Sequence, residues 1–316
     1  MIRLSIIIPF YNVEQYIAQC LDSVYHQNIL EDEYEVICVN DASLDNSRDI
    51  VLEYQKVHKN LILVEHKHNK KLGAARNTGR SIARGKYIWN VDSDDYITRN
   101  CLSSILELCD KNDLDILMFN IASNKENIIQ RSEFSFEYEG IQEGLICLDQ
   151  NRYKIGQFCP VWRYVYSKAF LDKNDIYSPE INMGEDVPYA FKALLLAKRV
   201  LLVNEIYYNY RINPNSLTGV RQLGPNVLYE KCFVAARKVY DLLKYIPRQY
   251  YGLEREFKNM IRYIIYMYPE YYVKMSKDEK KKFVHICRNN IFKDYCLFYL
   301  MNRYMKKRYL KKMLNL

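Results

Sequence analysis

Hydrophobic positions change period repeatedly along the first 120 residues, and each change marks an element. Leu4-Ser5-Ile6-Ile7-Ile8-Pro9-Phe10 is a nearly continuous β-branched run, the pattern of a strand covered on both faces. Val13, Ile17, Leu21 and Val24 follow at helical spacing and predict a helix over 13–27. The alternation then recurs: strand 34–39, helix 44–57, strand 61–65, helix 74–83 ended by Gly85, strand 87–91, a helix containing Cys101 and Cys109, and strand 115–120. Such βα repetition predicts an α/β fold with a mostly parallel sheet flanked by helices on both faces. Residues 121–158 are less regular and read as a meander or a lid. A helix over 187–198 and a strand or strand pair over 200–210 follow. Beyond Pro225 the pattern is helical to the end, basic and rich in Tyr. The boundary falls within 215–225, giving a domain over 1–220 and a helical C-terminal region over 221–316.

Parallel sheets bind ligands at the carboxyl ends of their strands. Polar residues directly after strands are therefore the candidates. Asp92-Ser93-Asp94-Asp95 follows the 87–91 strand. Asp92 and Asp94 are two apart and share a side in extended backbone. A hard divalent cation takes a few such carboxylates and leaves positions for phosphate oxygens. A solvated turn or a helix cap is the plainer reading of the same run. Asp41 ends the second strand and is either an Asx-turn residue or an acceptor for a base N–H or a ribose hydroxyl. Arg76 lies in Gly73-Ala74-Ala75-Arg76-Asn77-Thr78-Gly79, where small residues permit close approach of a ligand. Its guanidinium can clamp phosphate or position Asp92, or it is a surface arginine. Glu185-Asp186 follows Gly184 at a helix start, and Asp186 suits both a cap and a general base.

Composition narrows the classes. Hydrophobic residues at 49% and charged residues at 27% are ordinary for a folded chain. The 30 tyrosines suit half-buried interfaces more than sugar stacking. Nine cysteines without a C-x-x-C pair read as scattered buried thiols, against a disulfide framework or zinc site. The histidines form no H-x-x-x-H pair, and His66 and His68 read as surface residues. Neither a G-x-G-x-x-G, a Walker A nor a G-x-S-x-G sequence occurs. The run Leu4–Ile8 ends at Pro9 without a cleavage pattern, and no stretch approaches the roughly 18–20 apolar residues of a membrane span. A cytoplasmic location, or a peripheral one on the inner membrane face, is expected. Net charge is +8, and Arg303, Lys306, Lys307, Arg308, Lys311 and Lys312 stand without acids near the end. That segment suits contact with anionic membrane. No nucleic-acid motif accompanies it, so no nucleic-acid partner is expected.

Taken in order, these pieces resemble the family 2 inverting glycosyltransferases of the GT-A fold, especially bacterial polysaccharide and lipopolysaccharide enzymes. The matching runs are Ser5 to Asn12, Val39 to Asp45, Gly73 to Gly79, Gly85 to Asp95, Gly184-Glu185-Asp186 and Tyr210-Arg211, covering roughly residues 1–220. The resemblance implies a nucleotide-sugar donor, a UDP-sugar foremost, and a glycan or lipid-linked glycan acceptor. It implies that Pro9 and Tyr11 line the uracil pocket, Asp41 meets the base, and Arg76 and Asp92 sit by the ribose and diphosphate. Asp94 becomes the ligand of Mn2+ or Mg2+, Asp186 the catalytic base with Glu185 beside it, and Arg211, near Ser216 and Thr218, a contact for the diphosphate or acceptor. Trp162 matches an aromatic position near the acceptor cleft. Asp95 stays open between a partner behind the metal ligand and a helix cap. Ala42 and Lys71 stand where the family commonly has Gly. A catalytically inactive sugar-nucleotide-binding or scaffold protein on the same fold is the alternative, opposed by the retained carboxylates. A sugar-nucleotide pyrophosphorylase lacks support, because Phe10-Tyr11-Asn12-Val13 is not a Gly-rich loop.

Overall fold

A computed structural model describes residues 1–125, 128–131, 140–212, 224–266, 272 and 274–291. The expected 220/221 boundary, Ser216, Thr218 and the basic segment 303–312 lie outside the described residues. The chain divides into two compact units. One comprises Met1–Cys147, Pro160–Glu180 and Lys192–Asn213; the other comprises Leu148–Cys159, Ile181–Phe191 and Pro214–Leu316.

The first unit holds the sheet. Its strands are β1 (Leu4–Phe10), β2 (Tyr34–Asn40), β3 (Leu61–Glu65), β4 (Tyr87–Asn90), β5 (Tyr96–Ile97), β6 (Ile116–Lys125), β7 (Ile128–Arg131), β8 (Ile141–Gln142), β9 (Tyr164–Ser167) and β10 (Val200–Arg211). Their order is β3-β2-β1-β4-β9-β6-β10-β5, with β7 beside β6 and β8 beside β10. β1 pairs in parallel with β2 and β4, β2 with β3, and β6 with β10. β9 is antiparallel to both β4 and β6, so six strands share one direction. All seven residues of β1 and of β2 are buried, as their continuous apolar runs require.

Helices α1 (Ile17–Tyr25), α2 (Ser47–Val57), α3 (Lys71–Ile82), α4 (Leu102–Lys111), α5 (Gly144–Gln150), α6 (Lys168–Lys173) and α7 (Asp186–Leu196) follow in chain order. α3 packs on β1 and β2, α4 on β6 and α6 on β9. Ile17, Cys20, Leu21 and Val24 form the buried stripe of α1, at the spacing read from the sequence.

Several boundaries differ from the sequence reading. β6 runs on to Lys125, because β10 pairs along its polar second half from Asn120 to Asn124. β10 is one strand with register shifts on either side of Ile206. β9 and α6 were not expected at all. A four-residue Tyr-Val-Tyr-Ser strand carries too few positions to show a period.

The second unit is helical where described: α8 (Pro225–Tyr229), α9 (Ala235–Asp241), α10 (Tyr251–Tyr266) and α11 (Lys277–Ile291), with shorter turns between. On α10, Leu253, Phe257, Ile261 and Ile264 form the buried stripe, while Tyr251 and Tyr263 point to solvent. Phe257 packs on Phe191, and Phe233 on Phe283. No helix among the described residues is long and apolar enough to cross a membrane.

Candidate functional site

β1, β2 and β4 lie side by side, so their following loops emerge from one edge of the sheet. Pro9 is buried in β1, and Tyr11, one residue past the strand, is 43% exposed. The first two loops are bonded to each other. Asn12 turns with φ 52° and its Oδ1 accepts from the Leu44 N–H at 2.8 Å. The Val13 N–H donates to Ser47 Oγ at 2.8 Å, and Glu14 accepts from both the N–H and the side-chain amide of Asn46. Short polar residues after each strand thus tie the rim in place of further ladder bonds.

Asp41 is buried and its carboxylate is heavily used. Oδ1 accepts from the Lys70 N–H at 2.7 Å and meets His66 Nδ1 at 2.7 Å; Oδ2 accepts from the Lys71 N–H at 2.8 Å. This carboxylate therefore fixes the backbone at Lys70 and Lys71, where α3 begins. The side chain of His66, read from sequence as a surface residue, is buried, and its Nε2 lies 2.9 Å from Thr78 Oγ1. Its position directly after β3 was the available signal, by the same rule that marked Asp41.

Arg76, on α3, is 3% exposed and donates to Asp92 Oδ1 at 2.8 Å. Breaking a buried ion pair by removing one partner costs about 3–5 kcal/mol. The pair therefore helps hold the turn after β4. Within that turn the Asp95 N–H donates to the Asp92 carbonyl at 3.0 Å. Asp95 is 1% exposed; Oδ2 accepts from the Tyr208 hydroxyl at 2.7 Å and Oδ1 from the Arg211 N–H at 2.7 Å. The Tyr208 oxygen in turn accepts from the Asp92 N–H at 3.1 Å. Asp95, left open by the sequence, thus joins the turn to the end of β10. Burial, and then the charges of Asp94 and Asp92, push its carboxyl well above the usual range. Tyr208 also stacks on Trp162 with centroids 4.5 Å apart, and Trp162 stacks on Tyr210. Nothing in the sequence marked Tyr208 among so many tyrosines.

Arg211 reaches back across the same turn. Its Nε–H donates to the Asp94 carbonyl at 2.8 Å, and its guanidinium lies over the rings of Tyr16 and Tyr96 at 5.1 and 5.7 Å. Arg76, Asp92, Asp94 and Arg211 are therefore brought together. No three acidic, His or Cys side chains among the described residues converge as a closed metal set. A magnesium-like ion needs only one or two protein carboxylates beside phosphate oxygens. Asp94, in the turn held by the Arg76–Asp92 pair, suits such a partial shell, and a cation there would ease the repulsion that adds to burial in raising Asp95.

Glu185 and Asp186 belong to the second unit. Gly184 precedes them with φ 88°, a conformation that favours glycine, and an added Cβ there would meet Ala235 Cβ at 3.3 Å. Glu185 is 6% exposed and Asp186 is partly exposed in the first turn of α7. The Asp186 charge adds to the burial that pushes the neighbouring Cys159 thiol up to about 12.

The model for glycosyl transferase family 2 matches residues 5–170, which contain β1 to β4 and the Asp92–Asp95 turn. The chain belongs to that family. A Bacillus subtilis relative named "Uncharacterized glycosyltransferase EpsJ" is 34% identical over 225 residues, 68% of this chain and 63% of the relative. A Bacillus spizizenii relative named "Poly(ribitol-phosphate) beta-glucosyltransferase" is 31% identical over 212 residues, 66% of this chain and 32% of that protein. The chain spans less than two thirds of the length of these curated relatives. The crystal structure of S. aureus TarS 1-349 in complex with UDP-GlcNAc superposes with a TM-score of 0.69 at 23% identity, covering 92% of this chain and 81% of that one. The family's GT-A fold, a largely parallel sheet with a helical C-terminal region, is the fold of this chain.

Proposed function

We propose that the protein transfers a sugar from a nucleotide-sugar, a UDP-sugar foremost, to a glycan or lipid-linked glycan acceptor in bacterial cell-surface polysaccharide synthesis, with inversion at the anomeric carbon, on the cytoplasmic side of the membrane. The observation that carries this reading is the Arg76–Asp92 pair beside Asp94 at the carboxyl edge of β1, β2 and β4. It fits the charge distribution of a nucleoside diphosphate, with a cation position next to a buried guanidinium. The name of the TarS complex supports the uridine donor, and the names of the ribitol-phosphate relatives support a surface-polymer acceptor.

In this reading Pro9, Tyr11 and Asp41 take the base, Arg76 and Asp92 the ribose and diphosphate, and Arg211 the diphosphate or the acceptor. Asp94 is the residue that would hold Mn2+ or Mg2+, which when bound supplies positive charge to the diphosphate. Asp186 accepts the proton of an acceptor hydroxyl. The acceptor oxygen forms its bond to the anomeric carbon as the bond from that carbon to the diphosphate breaks, and the nucleoside diphosphate leaves with the electron pair. Glu185, buried beside Asp186, completes the catalytic pair in this reading.

A positioned base contributes roughly a hundred- to ten-thousand-fold to rate. Asp186→Asn is expected to lose transfer by that order while binding UDP as the parent does. Transfer and calorimetric UDP binding measured on the full chain check this; parent-like turnover would reject Asp186 as the base.

A further inference from the structure

We propose that His66 is a positioning residue for the nucleobase pocket, setting the Asp41 carboxylate so that one acceptor position stays open to a base N–H. The inference rests on the donor reading above, in which Asp41 meets the base.

An ionised carboxylate offers about four acceptor positions. On Asp41 three are taken: Oδ1 by His66 Nδ1 and the Lys70 N–H, and Oδ2 by the Lys71 N–H. The remaining position is on Oδ2. The two backbone donors come from the segment that Asp41 itself organises. His66 is the donor with independent support. Its own N–H donates to the Asn40 carbonyl at 2.9 Å, which ties the end of β3 to the residue before Asp41. A carboxylate only accepts, so Nδ1 carries a ring proton and donates to it. Nε2 is hydrogen-bonded to Thr78 Oγ1 across 2.9 Å. The ring is held at its backbone and at both nitrogens, with its side chain 4% exposed and that of Asp41 5% exposed.

A phenylalanine would fill this volume; the two nitrogens are what the site uses. They lock the rotamer of Asp41 before any ligand arrives, so the base meets an ordered acceptor and does not have to order it. Thr78 lies two residues after Arg76 on α3, so the same helix supports the base acceptor and supplies the cation paired with Asp92.

Two substitutions separate the nitrogens. The side-chain amide of His66→Asn falls where Nδ1 lies and still donates to Asp41. That of His66→Gln reaches the position of Nε2 and Thr78 but not Asp41. UDP is titrated calorimetrically into each full-chain variant with Mn2+ present. His66→Asn is expected to bind within about threefold of the parent and His66→Gln about tenfold or more weakly, the loss of a hydrogen bond to a charged group. Parent-like binding by His66→Gln, or equal weakening in both, overturns the proposal. Should either fail to fold, Thr78→Val is the second measurement, because it keeps the volume but leaves Nε2 buried without its hydrogen-bond partner. About threefold or greater weakening is expected there, and parent-like binding again overturns the proposal. Asp41→Asn keeps the two readings apart. Parent-like UDP binding by that variant removes the base contact itself. Weak binding by it, beside unaltered binding by His66→Gln, removes only the role of His66.

Discussion

Ala42 and Lys71 stand where the family commonly has glycine, and both have left-handed backbone, with φ of 63° and 76°. A non-glycine residue pays roughly 1–2 kcal/mol in that region. Glycine pays about 0.5–1 kcal/mol more chain entropy on folding. The difference favours glycine, so Ala42→Gly and Lys71→Gly should each stabilise the protein by about 0.5–1 kcal/mol, read as a higher urea midpoint. A lower midpoint would mean that the native side chains hold contacts worth more than the strain. The substitutions themselves were visible in the sequence, but their conformation was not. Asp41, Asp92 and Asp94 stood out in the sequence because they follow strands, and Arg76 because small residues surround it; the structure brings Arg76 and Asp92 together. The burial of His66 was not, because it depends on Asp41 and Thr78, which arrive from other segments. Asp95 was illegible for the same reason: its partners, Tyr208 and Arg211, lie more than a hundred residues away.

At the scale of elements, apolar runs were read, the four-residue β4 included, whereas β9 and the polar second half of β6 were not. β1 and β2 announce themselves by composition, whereas β9 is four residues and the second half of β6 is polar. The close seat of α3 on the sheet is another feature that periodicity does not show. A Cβ added at Gly79 would lie 2.5 Å from Ile7 Cγ2 and 3.3 Å from Val39 Cγ2. Both are methyls of β-branched side chains, which have little rotamer freedom to yield. Gly79→Ala gains about 1 kcal/mol of helix propensity and loses about 1–3 kcal/mol to overpacking. A net loss of about 1 kcal/mol is expected, together with weaker UDP binding, since α3 carries Arg76. Denaturant unfolding and nucleotide titration of the same sample check both; a stabilised variant with intact binding would show that the sheet gives way without cost.

For the molecule as a whole, Asp95 links stability to pH. Its folded carboxyl lies well above the ordinary value of about 3.9. Between that ordinary value and the folded one, the native state holds more protons than the unfolded chain, so stability falls as pH rises through the window and then levels. Glu33, Asp110 and Asp172 are shifted down by their cationic partners and act oppositely: their contribution is present above the usual carboxylate range and is lost at lower pH. Asp95→Asn keeps an acceptor for the Arg211 N–H and carries no proton to lose. Its stability relative to the parent should therefore improve as pH goes from about 4 to 8, measured by urea unfolding at several pH values. A difference that stays constant over that range would exclude Asp95 as the source. The antiparallel β9 has a separate bearing on how the protein comes into being. β4 and β6 are complete well before β9, which must slot between them, and roughly forty residues separate the end of β6 from that of β9. At about 5–20 residues per second, a ribosome needs about 2–8 s to cover that distance. For those seconds the edges of β4 and β6 that β9 will cover stand open, the feature that recruits neighbouring chains most readily. The sheet that carries Asp41 and the Asp92–Asp95 turn is thus sealed late in synthesis, and premature termination before β9 would leave an adhesive fragment.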